Sequence, residues 1–170
     1  MDDLIKYEGW LTKEENSILQ PKLINWNYGA GSVPKSDSRN IHVTPFWYID
    51  FSNDPFFADH LLNKVRQTVG DNSLKLERVY ANGATYGQPG SFHQDCYDDT
   101  GRTFLFYANT DWIEEWGGST QFNIGDGMTT NVFPKSNRAV YFPGMLFHSS
   151  TALNRSYKGL RVTIAWKLIK

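Results

Sequence analysis

The sequence predicts a mainly β fold of the α+β type, a sheet sandwich or barrel with helices packed outside it. Three observations carry this. Six Trp, nine Tyr and eleven Phe make 15% of the chain, beside 14 Gly; aromatic side chains suit half-buried sheet surfaces and glycines punctuate turns. Helical signals are confined to the first 70 residues. After Gly70 the chain becomes a succession of short β-type runs separated by Gly, Pro, Asn and Asp.

The helical signals come first. "TKEE", Thr12 to Glu15, has capping-box spacing and opens a short helix that Pro21 ends. In "NDPFFADHLLNKVRQTVG", Asp54 is placed to cap, Pro55 fits the first turn and Gly70 can end the helix. Phe57, Leu61, Leu62, Val65 and Val69 fall at helical spacing and form one face to lay on a sheet. The β-type runs follow: "LKLERVYA", "RTFLFYAN", "GGSTQFN", "TTNVFP", "RAVYFPG" and "LRVTIAWKLI". In the last of these, Leu160, Val162, Ile164, Trp166 and Leu168 alternate with Arg161, Thr163, Ala165 and Lys167, so one face is wholly apolar. This divides one domain, 1–170, into a helical support region, 1–70, and a core, 71–170, that holds the chemistry.

Composition narrows the function classes. At 170 residues the chain can bury a substantial core without staples. Seventeen basic residues against eighteen acidic ones, with no Lys/Arg block, argue against nucleic acid as partner. No stretch reaches the roughly 20 apolar residues that cross a bilayer, and "MDDLIKYEGWL" does not resemble a signal peptide. A single cysteine, Cys96, excludes an internal disulfide framework. The expectation is a cytoplasmic protein with no membrane partner; oligomeric state is not legible.

The chemistry centres on "GSFHQDCYDDTG", Gly90 to Gly101. His93 and Asp95 are two positions apart, which in an extended chain puts imidazole and carboxylate on one face. A third ligand is needed. His60 lies on the helix beside Leu61, and His42 in "NIHVTP" has no partner at ligand spacing. His148 ends "RAVYFPGMLFHSS", where a strand, a Pro-Gly turn and a short apolar run deliver a histidine at the tip. Two histidines and one carboxylate can leave three positions of an octahedral ion open, as in non-haem Fe(II) oxygenases, or can hold zinc. The ligands alone leave iron and zinc both open.

The flanking motifs add to this. "YANGATYGQPGSFHQD", "FLFYANTDWIEEWGGSTQF", "RAVYFPGMLFHSS" and "LRVTIAW", in this order over roughly residues 76–167, resemble the Fe(II)/2-oxoglutarate-dependent dioxygenases, specifically their prolyl 4-hydroxylase-like branch. The resemblance implies a double-stranded β-helix, or jelly roll. It implies Fe(II) held by His93, Asp95 and His148, with 2-oxoglutarate as cosubstrate, O2 as oxidant and ascorbate as a reductant of stray Fe(III). Arg161 would hold the distal carboxylate of 2-oxoglutarate and Tyr107 would hydrogen-bond it; Tyr86 is a further candidate for the cosubstrate pocket. An arginine is a planar, bidentate partner for a carboxylate. Arg161 follows His148 by a longer interval than the anchor has in many prolyl hydroxylases, which leaves Arg155 and Lys158 as rivals. The intact Asp95 favours hydroxylation, since related iron halogenases lack the carboxylate. The implied substrate is a prolyl residue in a peptide or protein, with a free amino acid or other small molecule as the alternative. Outside the enzyme class, a metal-binding jelly roll without redox activity would keep the three ligands and have no need of Arg161 and Tyr107. A zinc hydrolase would need a general base that no motif supplies. Cys96 is expected to pack, and Asp98 and Asp99 to lie in a solvated loop.

Overall fold

The computed structural model describes residues 4–31 and 44–170. His42 lies outside the described residues. Among the described residues, ten strands alternate with few helices: β1 (Ile5–Glu8), β2 (Asn27–Ala30), β3 (Phe46–Asp50), β4 (Lys75–Ala84), β5 (Gly101–Tyr107), β6 (Thr120–Gly125), β7 (Met128–Val132), β8 (Arg138–Pro143), β9 (His148–Ser150) and β10 (Arg161–Ile169). They form a seven-stranded sheet ordered β1-β8-β5-β10-β4-β3-β2 and a three-stranded sheet ordered β7-β6-β9, and every strand pairing is antiparallel. From β5 onward the chain crosses from the larger sheet to the smaller at β6 and β7, returns at β8, crosses at β9 and returns at β10. That alternation is the jelly-roll arrangement expected from the sequence.

The helical signals hold locally. Helix α1 (Lys13–Leu19) starts at a complete capping box: Glu15 N donates to Thr12 Oγ1 at 3.1 Å, and Thr12 N donates to Glu15 Oε2 at 2.8 Å. Pro21 sits in the 3₁₀ turn that follows. Asp54 Oδ1 accepts from Phe56 N at 2.9 Å, as a cap should. The chain then runs through a π-helical turn, Phe56–Leu61, into α2 (Leu62–Val69), which Gly70 ends in the left-handed region at φ 73°. The expected apolar face is buried at Phe57, Leu61, Leu62 and Val65.

Residues 1–70 do more than support the core with helices. They supply β1 to one end of the larger sheet and β2 and β3 to the other. These strands are four or five residues long, too short for alternation to stand out against neighbouring aromatic residues.

Strand β10 joins the two halves of the core. Val162, Ile164, Trp166 and Leu168 pack under the helices with Phe104, Phe106, Phe57 and Leu61. The Trp166 indole N–H donates to Phe57 O at 3.0 Å, so the largest buried side chain leaves no orphan donor. On the opposite face Ala165 joins Leu105, Tyr107, Phe122, Val132, Val140 and Phe142 between the sheets. Among the described residues no helix is long and apolar enough to cross a membrane.

Candidate active site

The inner face of the larger sheet opens into a cavity of about 570 Å³ that reaches both sheets. Antiparallel register fixes what faces it. Along β10 and β4, Arg161 is opposite Ala84, Thr163 opposite Asn82, Ala165 opposite Tyr80 and Lys167 opposite Arg78; β3 adds Tyr48 beside Asn82 and Asp50 beside Tyr80. All of these line the cavity, together with His93, Asp95 and His148.

The three candidate ligands meet at one point. His93 and His148 form an antiparallel bridge, each N–H donating to the other's carbonyl at 3.0 Å, which sets their rings 4.5 Å apart. Asp95 N donates to Gly144 O at 2.8 Å and brings the carboxylate to the same spot. Nε2 of His93 lies 3.5 Å from Asp95 Oδ1, and Nε2 of His148 lies 3.5 Å from Asp95 Oδ2. One donor atom from each of the three side chains lies within 4.8 Å of the others.

The chemistry of these donors fits a divalent cation. His93 Nδ1 lies 2.8 Å from Ser91 O and His148 Nδ1 lies 2.8 Å from Leu146 O. A carbonyl accepts only, so each Nδ1 carries the proton and each Nε2 presents a lone pair to the centre. Burial pulls the His148 pKa down to about 4, against the opposing pull of Asp95, so its imidazole is neutral at pH 7. Burial on its own would raise the Asp95 carboxyl; the Lys167 ammonium outweighs this and holds it well below the usual carboxylate range.

Arg161 is 5% exposed and sits in the same cavity. Its Nε donates to Gly118 O at 2.5 Å and its Nη2 to Thr120 Oγ1 at 3.2 Å, with the guanidinium 5.6 Å from the Tyr107 ring centre. These partners are all neutral, and an uncompensated buried guanidinium is costly, so the geometry suits an anion arriving from the cavity. Gly118 permits this arrangement. Its φ is +69°, and a Cβ there would lie 2.9 Å from Arg161 Cδ. The rivals are elsewhere: Lys158 Nζ donates to Arg155 O at 3.1 Å, and both side chains are exposed and outside the cavity lining.

Tyr107 is buried behind Arg161, and its hydroxyl lies 2.7 Å from Thr120 Oγ1 and 3.1 Å from Val132 O. It touches the cavity through these neighbours and does not line it. Burial raises its pKa, so the phenol stays protonated. Tyr86 lies outside the cavity lining and is 61% exposed, because β4 ends at Ala84 and the turn with Gly87 at φ 79° carries it outward. Tyr80 takes the aromatic place in the cavity instead.

Other side chains fall where the sequence suggests. Cys96 packs between Gly101 and Gly144, where a Cβ on either glycine would run into its sulfur. Asp98 and Asp99 are exposed, and Asp98 Oδ1 accepts from Thr100 N at 2.9 Å in a turn. His60 is on the helical face with Nε2 3.1 Å from Glu15 Oε1.

Three residues escaped the sequence reading. Lys167, Asn82 and Thr103 belong to the cavity face or its floor, and a period of two counted from Arg161 and Tyr107 finds Lys167 and Thr103. Lys167 is 4% exposed, and its ammonium bonds to Asp95 Oδ2. Thr103 Oγ1 donates to the same oxygen at 2.5 Å. Asn82 Oδ1 is buried without a hydrogen-bond partner.

No protein-family model matches the sequence, and no curated protein matches it. Solved structures do match. A prolyl-4-hydroxylase from Pseudomonas putida superposes with a TM-score of 0.69 at 16% identity, covering 99% of this chain and 93% of that one. A viral collagen prolyl hydroxylase from Paramecium Bursaria Chlorella virus-1, in complex with 2-oxoglutarate, gives 0.68 at 18% identity, with 98% and 96% covered. HygX from Streptomyces hygroscopicus, with nickel and 2-oxoglutarate bound, gives 0.71 at 14% identity, with 98% and 82% covered. The chain therefore has the double-stranded β-helix fold of the Fe(II)/2-oxoglutarate oxygenases, with prolyl hydroxylases among the structures it matches.

Proposed function

We propose that this protein is an Fe(II)- and 2-oxoglutarate-dependent dioxygenase that hydroxylates an aliphatic C–H, with a prolyl residue of a peptide or protein as substrate. The observation that carries the reading is a single cavity containing both the His93–Asp95–His148 donors and the buried, anion-seeking Arg161. A metal-binding module would need the first and not the second.

In this reading His93 and His148 give Nε2 to Fe(II) and Asp95 gives a carboxylate oxygen. Each histidine keeps its proton on Nδ1 and donates it, His93 to Ser91 O and His148 to Leu146 O, which fixes each ring's orientation. Fe(II) with 2-oxoglutarate and O2 supplies oxidative decarboxylation, yielding succinate, CO2 and the oxidising power to hydroxylate a C–H bond. Arg161 binds the far carboxylate of 2-oxoglutarate through the guanidinium edge not used by Gly118 O and Thr120. Tyr107 orients the Thr120 hydroxyl beside that carboxylate. Leu105, Ala165 and the Tyr80 ring keep water from the reacting centre. At the mouth, Phe46, Tyr48 and Tyr97 offer rings for a proline to stack against.

Succinate release, coupled to O2 and to a panel of proline-containing peptides and free amino acids, tests this. The wild type should release succinate with at least one peptide. Arg161→Ala should lose most 2-oxoglutarate affinity, whereas Lys158→Ala should behave as wild type. Normal affinity in Arg161→Ala with loss in Lys158→Ala would move the anchor into the hairpin. Turnover only with a free amino acid would keep the oxygenase and replace its substrate.

A further inference from the structure

Asp95 is not free to offer both oxygens. Its Oδ2 accepts from Thr103 Oγ1 at 2.5 Å and from the Lys167 ammonium. Thr103 and Lys167 are opposite each other in the β5–β10 register, both buried, so two adjacent strands hold the donors rigidly. Tyr80 covers the ammonium from the cavity side, its ring centre 5.8 Å from Nζ. A carboxylate oxygen has two lone-pair sites, and here both are taken. Each oxygen lies 3.5 Å from one histidine Nε2, Oδ1 from His93 and Oδ2 from His148, and Oδ1 is the oxygen that neither Thr103 nor Lys167 occupies.

We infer that Lys167 is a positioning residue that restricts Asp95 to single-oxygen ligation of the metal. Carboxylates bind cations through one or two oxygens according to what holds them. With one oxygen from Asp95 and one nitrogen from each histidine, an octahedral ion keeps three positions open, enough for a chelating cosubstrate and O2 together. A second oxygen from Asp95 would close one of them. The Lys167 charge also opposes an incoming dication, so the site is expected to trade metal affinity for openness. A neutral or apolar side chain at 167 would release Oδ2 and reverse both effects.

This inference rests on the metal-centre reading, and Co(II) titration of the chelator-stripped protein separates the two. Wild type, Lys167→Met, Lys167→Arg and Thr103→Val are compared by Co(II) dissociation constant and by the d–d absorption spectrum of the bound ion. Lys167→Met should bind Co(II) about tenfold more tightly, because the opposing charge is gone, equal in size and opposite in sign to the loss usual when a partner of a metal ligand is removed, with an altered d–d spectrum. Lys167→Arg, which keeps a charged donor, should restore the wild-type spectrum. A Lys167→Met protein with wild-type spectrum, or with equal or weaker affinity, overturns the inference. Should Lys167→Met fail to fold, Thr103→Val decides: a shifted spectrum supports the role, and an unchanged one overturns it. Failure of the wild type to bind Co(II) at all would instead sink the metal-centre reading itself.

Discussion

His148 brings the residue scale to a measurable quantity. Its folded pKa of about 4 lies below the ordinary 6.5, because burial opposes the charged ring. Between those values the unfolded chain takes up a proton that the folded chain refuses. Stability of the metal-free protein should therefore be intact above pH 6.5 and fall as pH drops towards 4. Thermal unfolding of chelator-treated protein between pH 7.5 and 4.5 should show a declining midpoint, and a His148→Gln variant should show a shallower decline over that interval. Equal slopes would mean that His148 is not buried as a neutral ring. At this scale the metal-ligand candidates were legible because His93 and Asp95 are a local pattern and the chain offers few histidines. The Lys167–Asp95 contact was not, since it joins residues 72 apart in sequence. Period two placed Lys167 opposite the apolar face, but nothing in the sequence named its partner. Tyr86 is near the His-x-Asp pair in sequence, yet it sits in the turn that "NGATYG" also allows, because β4 stops two residues earlier.

At the scale of elements, local chemistry and long-range packing make separate contributions. Thr12 is exposed and bonds only within the capping box, while Glu15 is also tied to Lys64 and His60, so Thr12→Ala should cost about 1 kcal/mol in chemical denaturation. Phe57 is fully buried where the helical layer meets the sheet, stacked on Phe51 with ring centres 3.9 Å apart, and its carbonyl receives the Trp166 indole. Phe57→Ala should cost about 3–5 kcal/mol. A loss below that of Thr12→Ala would show that this layer is not part of the cooperative core. The capping box and the helical face were visible in sequence because their periods are short and their caps adjacent. Strands β1, β2 and β3 were not. Each gains its place only by pairing with a distant strand, as Ile5 does with Tyr141 and Trp47 with Gly83.

At the scale of the whole molecule, the jelly roll gathers residues from seven strands, β2 to β6, β9 and β10, and from the loops beside them around one cavity. The smaller sheet brings His148 and Thr120; the larger brings Arg161, Lys167, Asn82 and Tyr48; the loop before β5 brings His93 and Asp95. The sandwich-or-barrel class was legible from aromatic content and turn punctuation, and its jelly-roll form only from the family resemblance that the ordered motifs carry. The cavity contents beyond those motifs emerge only when register aligns the strands. In the proposed function, metal and cosubstrate share this cavity through two anchors, the His93–Asp95–His148 donors and Arg161. Anaerobic titration of the Fe(II)-loaded protein with 2-oxoglutarate tests it most directly. Binding should be saturable and one-to-one, require Fe(II), be abolished in His93→Ala and be strongly weakened in Arg161→Ala. Absence of 2-oxoglutarate binding in the iron-loaded wild type, or binding unaffected by both substitutions, would contradict it.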